Sequence, residues 1–259
     1  MIETTGGFPV SRASSIPTVT AAAMAEVDEL AVNEFGIDIL QMMEQAGSHL
    51  AEVVRAELGG ELRGRRVVVA VGPGNNGGGG LAAARHLANR GASVRVILAR
   101  PVNRLSGAGR HQLATLLQMS VDCCVAIYDV PDDELDREFA SADAIIDAIL
   151  GYRAAGVPHD GVLWLVDRVA RASVPVISLD LPSGIDADTG EAPGSTVTAS
   201  ATLTLALPKP GLFRGAGREL AGRLYLGDIG LPAALFRRLG VEVDIPFADG
   251  PIVRLEAEP

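Results

Sequence analysis

Arg66-Val-Val-Val-Ala-Val71-Gly72-Pro-Gly-Asn-Asn-Gly-Gly-Gly-Gly80-Leu81-Ala-Ala-Ala-Arg85-His86-Leu87 is the stretch that decides the fold. Val67 to Val71 is a short apolar run of strand length that ends in glycines, and Leu81 to Arg90 reads as a helix. Gly72-Pro73-Gly74-Asn75-Asn76-Gly77 satisfies the Gly-x-Gly-x-x-Gly pattern between the two, where positions without side chains let a ligand approach backbone amides. Strand, glycine turn and helix open a nucleotide-binding unit. Gly78, Gly79 and Gly80 prolong the run beyond what a plain connection requires, given the entropic cost of glycine, so a bound ligand is the better explanation.

Outward from this unit, apolar runs recur at Val94 to Leu98, Cys123 to Tyr128, Ala144 to Ile149 and Val174 to Leu179. Helical stretches separate them near Gly107 to Met119, Asp132 to Phe139 and Val162 to Ala172. Such alternation predicts an α/β fold, a Rossmann-like three-layer α/β/α sandwich with a mostly parallel central sheet. Ala201 to Leu207 and Arg223 to Leu226 read as further strands, with a short helix near Pro232 to Leu239. Upstream, Thr18 to Leu58 carries two helical patterns broken at Gly36, which places two helices ahead of any strand. The expected organisation is a flexible tail over 1–17, one domain over 18–240, and a C-terminal tail or edge element over 241–259.

The 259 residues carry a formal charge of -10, which argues against a binder of nucleic-acid backbones. An anionic ligand must then be held locally, by amides and a helix N-terminus. The two cysteines, Cys123 and Cys124, are sequence neighbours and poor partners for an ordinary disulfide; they read as buried apolar residues of a protein in a reducing compartment. Neither a secretion signal nor a membrane-spanning run is recognisable, so a cytoplasmic location is expected. His49, His86, His111 and His159 are scattered without the spacing of a zinc site.

Four segments together resemble the NAD(P)H-hydrate epimerases, the YjeF N-terminal domain family: Gly72 to Gly78, Leu81 to Leu87, Asp147-Ala-Ile-Leu-Gly151, and Ser178-Leu-Asp-Leu-Pro-Ser-Gly-Ile-Asp186. Met43-Glu-Gln-Ala-Gly47 upstream and Pro208-Lys-Pro-Gly211 downstream look like further parts of that pattern, and the resemblance extends over about Thr18 to Leu231. It implies an isomerase, often a homodimer, that interconverts the R and S forms of hydrated NADH or NADPH and supplies the S form to a separate dehydratase. It further implies that substrate lies over Asn75, Asn76, Gly77, Gly78 and Gly79 and over the loop Gly151, Tyr152, Arg153, Ala154, Ala155, Gly156 and Val157, with Asp180 in contact. A potassium ion near Asn76, Asp147 and Ser183 is also implied.

Asp147 and Asp180 stand at the C-terminal ends of predicted parallel strands, where open α/β sheets bind ligands, and they are the candidate catalytic acid and base. Asp186 and Asp188 read as turn residues and Lys209 as exposed, with a phosphate contact as its alternative. Arg153 is a candidate phosphate contact. One departure stands out: the family's glycine turn continues with an aspartate where this chain has Gly79. A second reading is therefore a catalytically impaired nucleotide-binding or scaffold module of the same fold. A hydride-transferring dehydrogenase is disfavoured, because its second strand should end in an acidic residue and here runs into Arg100.

Overall fold

The computed structural model describes residues 4–5, 7–119, 121–125, 131–154, 156–243 and 246–256. Its strands are β1 (Thr4–Thr5), β2 (Phe8–Arg12), β3 (Arg66–Val71), β4 (Ser93–Leu98), β5 (Asp122–Val125), β6 (Ala144–Ala148), β7 (Val176–Leu179), β8 (Ala201–Leu205), β9 (Arg223–Gly227) and β10 (Ile252–Glu256). They form one sheet in the order β1-β2-β10-β9-β8-β7-β6-β3-β4-β5. From β5 to β9 every neighbouring pair is parallel. The chain winds outward from β3 to β4 and β5 in one direction, and from β6 to β7, β8 and β9 in the other. The topological switch point therefore lies between β3 and β6, where a crevice opens at the carboxyl ends of the strands.

The helices are α1 (Ala21–Asn33), α2 (Ile39–Glu57), α3 (Asn75–Asn89), α4 (Gly107–Gln118), α5 (Asp132–Ala140), α6 (Asp160–Ala170), α7 (Gly217–Leu220) and α8 (Ala233–Arg238). Alternation along the strands sorts them into layers. Val67, Val69 and Val71 pack with Leu50, Leu81, Leu87 and Leu113 of α2, α3 and α4. Val68 and Ala70 point the other way, onto Leu135, Leu165 and Val166 of α5 and α6. A third apolar cluster joins α1 and α8 to the ends of β9 and β10 through Val27, Leu226, Phe236 and Val253. The result is the α/β/α sandwich that the sequence alternation predicts.

Three expectations are corrected. The segment expected to be a flexible tail contains β2, parallel to β10, with Phe8 packed edge-on against Tyr225 at 5.5 Å; a strand thus precedes the first helices. The C-terminal stretch is not at the edge: β10 is inserted between β2 and β9. Both strands are short, and a five-residue run reveals no partner until the sheet is assembled. The third correction concerns the glycines. Asn75 to Gly80 are not a turn but the opening of α3, and the turn is confined to Gly72–Gly74.

Four consecutive glycines in a helix cost about 1 kcal/mol each relative to alanine, so packing must demand them. A Cβ at Gly77 would lie 2.0 Å from the Gly72 carbonyl oxygen, one at Gly78 2.5 Å from the Met43 methyl, and one at Gly80 2.4 Å from the Ala148 Cβ. Gly47 on α2 is equally tight against Ala82. The glycines let α3 settle on α2 and on β6 at backbone distance. Cys123 is half-buried against the first core, whereas the side chain of Cys124 and residues 126–128 of its apolar run lie outside the described residues.

Gly80→Val should cost about 1–3 kcal/mol, because a buried β-branched side chain has no room against Ala148. Gly107→Ala in α4, whose added methyl has only the tip of Arg110 within 4.0 Å, should stay within about 0.5 kcal/mol. Urea midpoints of the two variants measure the difference, and equal midpoints would contradict this packing role.

Candidate active site

The switch-point crevice deepens into an open-mouthed cavity of about 320 Å³. Its floor comes from strand ends. β3 and β6 approach so closely there that a Cβ on Gly72 would sit 1.8 Å from the Ile149 carbonyl oxygen. The first turn of α3 rises from this point with Gly74 at its N-cap and no side-chain cap, so its leading amides and the positive end of the helix dipole are available to an anion. Asn76 donates from Nδ2 to the carbonyls of Leu150 and Leu179, at 2.9 and 3.1 Å, and so fastens α3 to the loops after β6 and β7.

Asp180 follows β7 directly. Its φ of 70° is left-handed, and the Leu181 amide donates to the Leu179 carbonyl across it at 2.9 Å. A non-glycine residue held in this way stores of order 1–3 kcal/mol of strain, which the surroundings must over-determine. They do. Oδ1 of Asp180 meets Lys209 Nζ at 2.5 Å and Oδ2 accepts the Tyr152 amide at 2.9 Å. Lys209 also donates to the Leu205 carbonyl at 3.0 Å and lies 5.6 Å from the centre of the Tyr152 ring. It is 1% exposed, not a surface lysine as expected; only a buried counter-charge explains that burial, and Asp180 supplies it.

The upper wall comes from α1 and α2. Met24, Ile39, Met42, Met43 and Ala46 make it apolar, joined by Ile229. One carboxylate interrupts it. Asp28 on α1 accepts the Tyr152 hydroxyl at 2.5 Å and Arg153 Nη2 at 3.3 Å, both on Oδ2. Arg153 Nε also donates to the Tyr152 oxygen at 2.9 Å. Burial pushes the Asp28 carboxyl above the usual carboxylate range, against the opposing pull of Tyr152, Arg153 and Lys209. Burial likewise raises the Tyr152 hydroxyl, with the Asp28 charge adding to it.

Of the residues expected to hold substrate, the cavity is lined by Asn75, Asn76, Gly79, Gly151, Tyr152, Arg153, Ala154 and Asp180. Gly77 and Gly78 are not in the lining; they pack α3. Val157 is exposed outside it, Gly156 is also outside, and Ala155 lies outside the described residues. Arg153, more than half exposed, turns its guanidinium toward Asp28 and Tyr152. Asp28 and the apolar wall of Met24, Ile39 and Met42 escaped the sequence reading, which named Lys209 only as exposed or as a phosphate contact.

Asp147 does not line the cavity. Its register opposite Ser178 puts it beneath the loops, 0% exposed. There Oδ2 accepts Ser178 Oγ and the Ser183 amide, both at 2.8 Å, and Oδ1 accepts Ser183 Oγ at 2.5 Å and the Ile149 amide at 3.3 Å. Burial raises its pKa, opposed by those hydrogen bonds. All four donors are neutral, so nothing among them balances a buried negative charge. Among the described residues no group of three or more His, Cys, Asp and Glu side chains is placed to hold a metal. The carboxylate, hydroxyl and amide of Asp147, Ser183 and Asn76 are nonetheless the oxygen donors that a hard monovalent cation takes. Asp186 is a turn residue as expected, bonded at Oδ1 to the Thr189 and Asp188 amides. Asp188 does more, because its Oδ1 accepts the Ala21 amide at the start of α1 at 2.8 Å.

Residues 39–211 match the family described as YjeF-related protein N-terminus. The chain is 41% identical over 251 residues to a protein of Dehalogenimonas lykanthroporepellens named NAD(P)H-hydrate epimerase, covering 96% of this chain and 97% of that one. It is 38% identical over 218 residues to a Moorella thermoacetica protein named bifunctional NAD(P)H-hydrate repair enzyme Nnr, covering 84% of this chain but 41% of the relative. A crystal structure of a yeast protein superposes with a TM-score of 0.80 at 25% identity, covering 93% of this chain and all of that one. The fold, the match over residues 39–211 and the identity along nearly the whole chain lead to one conclusion: this protein belongs to the YjeF-related N-terminal family.

Proposed function

We propose that this protein is an isomerase that interconverts the R and S epimers of hydrated NADH and NADPH. The observation that carries the reading is the cavity at the switch point, where the buried Asp180–Lys209 pair and the amides of α3 stand against an apolar wall. A nicotinamide nucleotide has matching parts. Its phosphates suit the N-terminus of α3, and a flat ring bearing one hydroxyl suits a mostly apolar chamber with few convergent polar groups. The relatives named for this activity support the same substrate.

Epimerisation at the hydrated carbon proceeds by protonating and expelling the hydroxyl, assisted by the adjacent ring nitrogen, and by return of water to the other face. Asp180, which lines the cavity, would act as the base. The bifunctional repair enzyme among the relatives supports coupling of this reaction to a dehydratase that takes the S epimer. Asn76, Asp147 and Ser183 would hold a potassium ion. When bound it would neutralise the Asp147 carboxylate and stiffen the loops after β6 and β7.

The direct test mixes the purified protein with the R epimer of NADPH hydrate and an S-specific dehydratase and follows recovery of NADPH absorbance. Recovery faster than spontaneous epimerisation is expected; no acceleration would leave a binding module of the same fold. For the cation, the melting temperature in potassium chloride should exceed that in choline chloride at equal ionic strength, as binding to the folded state requires. Equal melting would refute the site. Asp180→Asn should lower kcat by about 10²–10⁴ and cost about 3–5 kcal/mol of stability, because Lys209 stays buried without its counter-ion. Adding Lys209→Met should restore much of the stability and none of the rate. Recovery of both would show that Asp180 serves only the ion pair.

A further inference from the structure

Expelling a hydroxyl and readmitting water requires a proton donor as well as an acceptor within reach of one oxygen. Asp147 cannot be the donor, since it is enclosed beneath the floor with four hydrogen-bond donors on its two oxygens. Gly79 lines the cavity and offers no side chain. Among the described residues, the carboxyl groups in the lining are Asp180 and one other, Asp28 of α1.

Resting on the epimerase reading, we infer that Asp28 is the general acid of the reaction, paired with Asp180 as its base in the same cavity. The two carboxyls stand in different surroundings. Asp180 Oδ1 is 2.5 Å from Lys209 Nζ and its Oδ2 accepts a backbone amide, so both oxygens are held by donors. Asp28 sits on an otherwise apolar wall beside Met24, Ile39 and Met42. The groups that face it are the Tyr152 hydroxyl and the Arg153 guanidinium from the loop after β6, with Lys209 and Asp180 beyond them. Burial outweighs the cations and holds the carboxyl up. One carboxyl on an apolar wall and one held by an ammonium and an amide, both lining one cavity, are the arrangement of an acid and a base.

In the forward step the Asp28 carboxyl proton passes to the hydroxyl oxygen of the hydrated carbon. The C–O bond breaks with its electron pair on oxygen, which leaves as water. The ring-nitrogen lone pair forms the C=N bond of an iminium ion, and Asp28 becomes a carboxylate. In the return step a water oxygen bonds to the same carbon from the opposite face and the C=N π pair goes back to nitrogen. Asp180 takes the proton that this water releases. Exchange with solvent resets both carboxyls, so no net proton is consumed and nothing is oxidised or reduced.

Tyr152 and Arg153 position Asp28, and Tyr152 also ties it to Asp180 through its own amide. The hydroxyl donates to the carboxylate form and so favours ionisation. Removing it should raise the Asp28 pKa further. A general acid works only while protonated, so the rate falls as pH rises through that pKa.

The test measures kcat, KM and their pH profiles for wild type, Asp28→Asn, Asp28→Glu and Tyr152→Phe, with thermal melts to establish folding. Asp28→Asn is expected to lose about 10²–10⁴ in kcat, with KM little changed, and to lose the alkaline limb of the profile. Asp28→Glu should regain part of the rate and the limb, and Tyr152→Phe should keep the limb but move it to higher pH. An Asp28→Asn enzyme with wild-type rate and profile would overturn the role. So would a Tyr152→Phe enzyme that reproduces the whole Asp28→Asn loss, since that result would make Asp28 merely a clamp between α1 and the loop. An inactive wild type would instead overturn the epimerase reading, and this role with it.

Discussion

A single ion pair in the dark of the protein, Asp180 to Lys209, holds the functional end of the sheet together. The lysine comes from the segment after β8, the aspartate from the end of β7, and the second aspartate oxygen takes an amide from the loop after β6. Three strand-end loops thus converge on one carboxylate. Breaking such a pair strands a charge where water cannot reach it, a penalty of several kcal/mol, whereas the pair itself contributes little net stability. Its value lies in fixing geometry. It holds Asp180 in a left-handed conformation uncommon for any residue with a side chain, and it keeps both ends of the pair at the cavity floor.

Close approach of backbones supplies the complementary constraint. Gly72 allows β3 to touch the chain leaving β6, and the glycines of α3 let that helix lie down on α2 and the sheet. These contacts aim the N-terminus of α3 at the cavity and leave Asn76 between the carbonyls of Leu150 and Leu179. Asp147, Ser178 and Ser183 knot the layer below. The site is therefore built in two tiers, a sealed polar knot under an open chamber, with α1 and α2 as the roof. A side chain at Gly79 would meet Leu179 at 2.8 Å, so this turn of α3 offers the chamber no carboxyl, whereas Asp28 on the roof does.

Much of this was legible in the sequence. The alternation of apolar runs and helical stretches fixes a parallel sheet because neither element can bury its apolar face alone, and the position of Asp147 and Asp180 at strand ends points both to the ligand-binding edge of the sheet. What periodicity could not convey was direction. Asp147 lies inside β6 and Asp180 just past β7, and pleating turns Asp147 into a sealed layer while a left-handed residue turns Asp180 into the cavity. The glycine run looked like a ligand cradle because entropy alone cannot tell a glycine that admits a ligand from one that admits a neighbouring helix. Lys209, between two prolines, gave no sign of burial, since its partner lies 29 residues away. Asp28 belongs to none of the motifs, so nothing in the sequence singled it out. Strands β2 and β10 were too short to be seen apart from each other.

The account's central claim is that the reacting ring sits between the Asp180–Lys209 floor and the Asp28 wall, with the phosphates at the start of α3. A crystal structure of the protein soaked with NADPH, whose nicotinamide ring closely matches the hydrated one in size, tests it most directly. The account predicts the pyrophosphate against the amides of Asn75 to Gly77, with the nicotinamide inside the cavity in contact with both Asp28 and Asp180. A nicotinamide pointing out to solvent, or the nucleotide bound elsewhere on the sheet, would contradict it.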